Sequence, residues 1–159
     1  RRRHSFPTRR SSDLDFAHSR EIVSLPQMSE LRLYEYLRLN FLPDLKKSSN
    51  QFERFDCTSQ STKLHIELKC RRSHYDTLLI EKKKFDALIA ASTQLQFSPC
   101  YINSTPQGIF GFNLSKLEPT WQTELMPATT DFANTEKIEK VVGFLSVADS
   151  VHLSGAMDF

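Results

Sequence analysis

Residues 63–70 (KLHIELKC) alternate strictly between polar and apolar side chains. The apolar positions 64, 66, 68 and 70 share one face, and the polar positions 63, 65, 67 and 69 share the other. This period of two predicts a half-buried β-strand. Glu67 and Lys69 therefore project from the same face of the strand, and Leu68 between them anchors the strand in a core.

Asp56 lies on the preceding segment and would complete a metal site if it shared the face of Glu67. With a four-residue loop at 59–62, or a two-residue loop at 60–61, Asp56 pairs with His65 and lies diagonal to Glu67. The two backbones are then roughly 7–8 Å apart, close enough for two acids to converge on one cation. A three-residue loop would turn Asp56 to the opposite face. The site hypothesis therefore requires an even loop.

The pattern elsewhere predicts three helices and two more strands. The helices are expected at 28–42, between the N-cap Ser29 and Pro43, at 77–92, and at 136–147, capped by Asn134 or Thr135. Strands are expected at 99–103 and 109–114, with a turn at 104–108 between them and an extended covering segment at 115–134. The expected buried stripe of the first helix is Leu31, Tyr34, Leu37 and Phe41, and that of the last is Ile138, Val141, Val142 and Leu145.

Composition narrows the class of protein. The chain has 159 residues, of which 39% are hydrophobic and 25% charged, which predicts one globular domain with a substantial core. No apolar run approaches the roughly 18 residues of a membrane span, so we expect no membrane partner. The three cysteines have no C-x-x-C spacing, which favours reduced thiols and a cytoplasmic location.

The first residues distort the charge balance. Residues 4–14 (HSFPTRRSSDL) resemble a translated short-read sequencing adapter, so residues 1–14 are interpreted as a non-native, disordered leader. A genuine basic arm is the alternative. Without the five arginines and one aspartate of this leader, 16 basic and 18 acidic residues remain, and the net charge changes from +2 to −2. Overall charge is therefore no argument for nucleic-acid binding.

The expected domain organisation follows from these boundaries. Residues 28–148 form the predicted single domain, residues 149–159 a tail, and residues 15–27 an uncertain N-terminal segment. For that segment two interpretations stay open: the native N-terminus is missing, or Met28 is the initiator and the segment lies outside the native frame.

The order of these elements resembles the PD-(D/E)xK nuclease superfamily, in particular its small phage and mobile-element members. Asp56, the Glu67-Leu68-Lys69 strand and the following Lys84-Phe85 pair carry the resemblance. Phe55 stands where the named motif has proline. The resemblance implies an α/β fold with a restriction-endonuclease-like core, in which a mixed central β-sheet is flanked by helices in an αβββαβ-type order.

The resemblance also implies metal-dependent hydrolysis of phosphodiester bonds in DNA, by an endonuclease or junction-resolving enzyme. Asp56 and Glu67 would hold Mg²⁺ or Mn²⁺, with the Leu68 carbonyl as a third ligand and Glu30 or Glu35 as an additional acid. Lys69 would orient or deprotonate the attacking water. The expected catalytic residues are thus Asp56, Glu67 and Lys69.

Partners follow from the same reasoning. DNA is the expected ligand, and the candidates for contact with its phosphates are Arg71, Arg72, Lys82 and Lys84. A homodimer is the corresponding expectation for an enzyme that cuts both strands of a duplex. Two alternatives stay open: a non-catalytic DNA-binding or structural protein on the same fold, and an interaction domain unrelated to nucleases.

Overall fold

The computed structural model describes residues 28–49, 53–128 and 136–153, and these ranges contain two α-helices and nine strands. The predicted leader and the uncertain segment at 15–27 lie outside the described residues. The helices are α1 (Glu30–Asn40) and α2 (Lys82–Leu95). The strands are β1 (Lys46–Lys47), β2 (Cys57–Ser59), β3 (Leu64–Cys70), β4 (Thr77–Glu81), β5 (Ser98–Thr105), β6 (Gly108–Asn113), β7 (Trp121–Pro127), β8 (Lys137–Ser146) and β9 (Val151–His152).

Two sheets are formed by these described strands. The central sheet has the order β1-β2-β3-β5-β6-β9, and β3 and β5 are parallel while its other neighbours are antiparallel. The second sheet has the antiparallel order β4-β8-β7. The parallel β3–β5 connection runs through β4 and α2, as a crossover between parallel strands requires. The central sheet is therefore mixed, as the resemblance implies.

Each face of the central sheet is covered by a different helix. On one face, Leu33 and Leu37 of α1 pack against Ile66 and Leu68 of β3. The opposite face packs against α2 and the second sheet. The buried apolar residues of that second core are Leu78, Ile80, Leu88, Tyr101, Phe110, Phe112, Leu114 and Leu145. Because β3 is covered on both faces, its polar side chains at 65 and 67 are buried too.

The first predicted helix is confirmed as α1. Ser29 is its N-cap, and the side chain accepts a hydrogen bond from the Arg32 N–H at 3.2 Å. The predicted stripe is only partly correct, because Leu37 is buried whereas Leu31 is 52% exposed. Leu33 takes the second buried position instead.

The predicted helix at 77–92 is wrong in its first part. Residues 77–81 form β4, in which Leu78 and Ile80 are buried at a spacing of two, and the helix runs from Lys82 to Leu95. The β-strand period of this short run was hidden by the helical spacing that follows it.

The predicted helix at 136–147 is wrong. Residues 137–146 form β8, which pairs with β4 on one side and β7 on the other. The apolar residues of β8 have a spacing that is typical of a helix. A central strand that is covered on part of both faces gives a similar pattern, because it buries side chains on both of its faces. Val142 and Leu145, which lie on opposite faces of β8, are both buried. The caps predicted at Asn134 or Thr135 lie outside the described residues.

The other predicted strands are confirmed. β5 and β6 cover 99–103 and most of 109–114, and Phe110 and Phe112 lie on one face of β6 with Ile109 on the other. Residues 151–152 pair with β6 as β9, so the central sheet extends past the predicted domain boundary at residue 148.

Among the helices that the structure describes, none is long and apolar enough to cross a membrane.

Candidate active site

The β2–β3 hairpin decides which side chains meet at the candidate site. Cys57 pairs with Ile66, Thr58 with His65 and Ser59 with Leu64, which leaves a four-residue loop at 60–63. The predicted pairing of Asp56 with His65 is therefore wrong by two residues. The loop is even, as the hypothesis required, but it begins one residue later than the predicted loop at 59–62.

Asp56 lies opposite Glu67 at the edge of the central sheet, one residue before β2. Its N–H donates to the Ile66 carbonyl at 2.9 Å, and its Oδ2 accepts from the Leu68 N–H at 2.7 Å. These two bonds bracket Glu67. In a regular antiparallel ladder, a backbone carbonyl of the neighbouring strand would accept the hydrogen bond from the Leu68 N–H. Here the Asp56 carboxylate accepts it instead. The carbonyl of Asp56 instead accepts from the Ser48 N–H at 2.8 Å.

Asp44 fixes the loop that sets this pairing, and no pattern in the sequence identified this residue. Its carboxylate accepts hydrogen bonds from Ser59 Oγ at 2.6 Å and from the Ser61 N–H at 2.8 Å. These bonds lower the pKa of Asp44 to about 2. The loop closes with Lys63 in the left-handed backbone conformation, at φ 55°.

Glu67 is 9% exposed and forms an ion pair with Lys84 of α2, whose Nζ donates to its Oε1. Burial raises the pKa of Glu67 above its ordinary value, while the hydrogen bond from Lys84 lowers it. The carboxylates of Asp56 and Glu30 raise it further. Two acids, Asp56 and Glu30, are therefore close enough to influence the charge of the buried carboxylate.

Two open cavities meet at Asp56. The α2-side cavity, of about 730 Å³, also contains Glu67 and Lys84. The α1-side cavity, of about 520 Å³, also contains Glu30 and Leu68. Asp56 lines both because it stands at the sheet edge between them. The predicted alternative acid, Glu35, is an exposed residue of α1 that lines neither cavity.

Glu53 is an acid that the sequence interpretation missed. It lines both cavities beside Asp56. Hydrogen bonds from Ser48 and Ser49 lower its pKa. Its position three residues before Asp56, in the run Phe52-Glu53-Arg54, offered no periodic signal.

Lys69 lies on the same face of β3 as Glu67, as predicted, and it is half-buried. In the described part of the chain it makes no ion pair, and it lines neither of the two cavities. The ammonium group beside Glu67 is that of Lys84, which the sequence placed among the DNA-contact candidates.

The other predicted DNA contacts occupy different environments. Arg71 points inward: its guanidinium donates to Asn103 Oδ1 at 2.7 Å, to Tyr101 Oη at 3.0 Å and to the Leu79 carbonyl. Lys82 pairs with Asp86 at 2.7 Å and lies over the Trp121 ring, 5.1 Å from its centroid. Arg72 is exposed.

An aromatic stack supports the segment that carries Asp56. The His65 ring lies between Phe55, with centroids 3.9 Å apart, and Phe97, with centroids 4.3 Å apart. His65 Nδ1 is 3.2 Å from Ser92 Oγ of α2, and only 2% of the residue is exposed. Burial lowers the pKa of His65, so the ring is neutral at pH 7.

The oxygen donors at this edge suit a hard divalent cation. Asp56 and Glu67 supply carboxylates. The N–H and the carbonyl of one strand residue point to the same side, so the Leu68 carbonyl lies on the side of Asp56, to which the Leu68 N–H donates. Mg²⁺ keeps several waters, so one or two carboxylates are sufficient for it. Nevertheless, no group of three or more His, Cys, Asp or Glu in the described residues is arranged to hold a metal ion. The donor chemistry fits Mg²⁺ or Mn²⁺ at a two-carboxylate site.

The cysteines supply no competing soft-metal site. All three, Cys57, Cys70 and Cys100, are free in the described residues. Burial raises the pKa of the Cys57 thiol to about 12 and that of the other two to about 11, so none is a thiolate at pH 7.

Neither a protein-family model nor a curated protein matches this sequence. Among solved structures, the fold matches that of Hjc, a Holliday junction resolvase from the archaeal hyperthermophile Archaeoglobus fulgidus. The two chains are 14% identical and superpose with a TM-score of 0.51, and the match covers 80% of this chain and 93% of that chain.

This likeness concerns the backbone and not the activity. The likeness agrees with a mixed central sheet and two helices. The chain therefore has a restriction-endonuclease-like fold, as its sequence resemblance implied.

Proposed function

We propose that this protein is a metal-dependent nuclease that hydrolyses phosphodiester bonds in DNA, as an endonuclease or junction-resolving enzyme. The observation that carries the proposal is the position of Asp56 opposite the buried Glu67, on one cavity of a restriction-endonuclease-like fold. The similarity to a Holliday junction resolvase supports DNA as the substrate class.

Asp56 and Glu67 would hold the divalent cation, with the Leu68 carbonyl as a further ligand. A bound Mg²⁺ supplies a Lewis acid that activates water and neutralises negative charge on the phosphate. Asp56 suits this role because its Oδ2 is held by the Leu68 N–H. Its Oδ1 has no hydrogen bond within the described residues and is available to a cation. Burial of Glu67 holds its carboxylate in one orientation.

Glu30 is the additional acid that this arrangement favours over Glu35. It shares the α1-side cavity with Asp56, and its charge raises the pKa of Glu67. Lys69 keeps the role that its motif assigns, which is to orient the attacking water or take a proton at Nζ. This role requires the side chain to turn toward Glu67 along the face that the two residues share.

The test is cleavage of supercoiled, linear, branched and single-stranded DNA in Mg²⁺ or Mn²⁺. Asp56→Asn keeps an acceptor for the Leu68 N–H while removing the charge, so it should abolish cleavage without unfolding the hairpin. Glu67→Gln and Lys69→Ala should also abolish cleavage. Glu30→Gln should reduce it, and Glu35→Gln serves as the matched control with unchanged activity. Intact DNA with every substrate, together with identical behaviour of wild type and Lys69→Ala, would refute the proposal.

A non-catalytic DNA-binding protein on the same fold is the second candidate. The ion pair between Lys84 and Glu67 favours it, because that pair neutralises the carboxylate which a catalytic cation needs. A thermal melt separates the two functions. A ligand that binds only the folded state raises its stability, so millimolar Mg²⁺ should raise the melting temperature of a nuclease. The increase should be smaller for the Glu67→Gln variant, which lacks one of the proposed ligands. The non-catalytic protein should melt at the same temperature with and without the cation.

A further inference from the structure

Lys84 holds a different position from the other lysines of its run. It lies in the first turn of α2, and its Nζ reaches across the α2-side cavity to Glu67 Oε1. Lys82 is held by Asp86 and lies over Trp121. Lys83 lines the same cavity as Lys84 but has no ion pair in the described residues. The contact with the site acid therefore belongs to Lys84 specifically.

The two partners of this ion pair differ in mobility. The Glu67 side chain is 11% exposed and is fixed on β3, whereas the Lys84 side chain is 59% exposed. A lysine ammonium group sits on a flexible four-carbon stem and keeps its own hydration when it moves. Lys84 can therefore leave Glu67 without disturbing α2, while Glu67 cannot follow it.

After leaving Glu67, Lys84 could bind a phosphate in the α2-side cavity. A cation at Asp56 and Glu67 would neutralise the acids that attract the ammonium group. A nucleic-acid phosphate entering the same cavity would then be the strongest anion near it. Lys69 does not compete for this role from its observed position, because it does not line the cavity.

We propose that Lys84 is displaced from Glu67 by the divalent cation and then binds the phosphate of the DNA, which makes DNA binding dependent on the cation. The inference rests on the proposed function, since it assumes that Glu67 is a cation ligand. It assigns Lys84 a role as phosphate ligand in addition to the role that the motif gives to Lys69.

Calorimetric titration with Ca²⁺, which allows binding to be measured without turnover, tests the displacement. Lys84→Met removes the competitor for Glu67 and should tighten Ca²⁺ binding by about two- to fivefold, the range expected for losing one partly exposed ion pair. Lys83→Met is the matched control, because it removes a neighbouring positive charge that does not touch Glu67. Its Ca²⁺ affinity should change by less than about twofold. Lys84→Arg keeps a positive competitor for Glu67 and should not tighten Ca²⁺ binding. Circular dichroism melts verify that each variant is folded.

Binding of a non-cleaved duplex tests the second half of the proposal. Ca²⁺ should increase the DNA affinity of the wild type, and most of this increase should be lost in Lys84→Met but kept in Lys83→Met. Equal Ca²⁺ affinities for the two methionine variants, or equal increases in DNA affinity, would overturn the inference while leaving cleavage by the wild type unaffected. Absence of both Ca²⁺ binding and cleavage in the wild type would overturn the inference and the proposed function together.

Discussion

Arg71 is predicted to stabilise the fold and not to act mainly as a DNA contact. Its guanidinium links two strands, because it binds Asn103 and Tyr101 of β5 and the Leu79 carbonyl of β4. Its own N–H donates to the Ser104 carbonyl at 2.8 Å. Replacement by alanine keeps that backbone bond and removes every side-chain bond.

The size of the effect depends mainly on Asn103. This residue is 0% exposed, and its Nδ2 already lacks a hydrogen-bond partner in the described residues. Without Arg71 its Oδ1 also loses its partner, so a whole amide is left buried and unsatisfied. The Leu79 carbonyl keeps the Tyr101 hydroxyl, which donates to it at 3.1 Å. Loss of a charged hydrogen bond with a buried acceptor left unpaired costs about 2–4 kcal/mol.

Urea denaturation followed by circular dichroism measures this cost. Arg71→Ala should lower the free energy of unfolding by about 2–4 kcal/mol, and Arg71→Lys by about half as much, because lysine keeps the charge but not the planar fork. Arg32→Ala is the control, as an exposed arginine of α1 whose loss should change stability by about 0.5 kcal/mol or less. An Arg71→Ala protein as stable as the wild type but weakened in DNA binding would refute this reasoning.

Three further predictions concern the core and the site. Gly143→Ala should cost about 1–3 kcal/mol in urea denaturation, because the added Cβ would lie 2.8 Å from Pro119 Cβ and 3.0 Å from the Trp121 ring. Burial lowers the pKa of His65, so the unfolded chain takes up a proton that the folded protein does not. Stability should therefore fall as the pH drops below about 6.5, and the difference in urea midpoint between pH 7.5 and 5.5 should shrink in His65→Phe. Burial raises the pKa of Glu67, so its charged form destabilises the cation-free fold at neutral pH. Glu67→Gln should raise the melting temperature by about 2–4 °C, and a lower melting temperature would mean that the Lys84 ion pair outweighs the burial.

The strand that carries the site was predictable because its period is local. Alternation over 64–70 placed Glu67 and Lys69 on one face, and any even loop keeps Asp56 on the side of Glu67. The pairing itself was not predictable. It depends on Asp44, which binds Ser59 and the loop backbone from another part of the chain, and on a lysine in a conformation that usually signals glycine or asparagine.

The remaining differences arise from tertiary contacts. β8 has helical spacing of its apolar residues but lies between two strands of the second sheet, so packing overrides the local pattern. Lys84 and Arg71 were equivalent as basic residues in the sequence. The fold directs one to a buried carboxylate and the other to a buried amide, and no spacing in the sequence distinguishes those environments.

The hydrogen bond from the Leu68 N–H to Asp56 Oδ2 gives the candidate site its own spectroscopic signal. The proton lies in a charge-assisted hydrogen bond, so its resonance frequency depends on how much negative charge the carboxylate oxygen retains. A cation bound at Asp56 would withdraw part of that charge and move a single main-chain resonance, while the apolar side chain of Leu68 stays anchored in the core. Occupancy of the site can therefore be followed in solution on the native chain, with no substrate present.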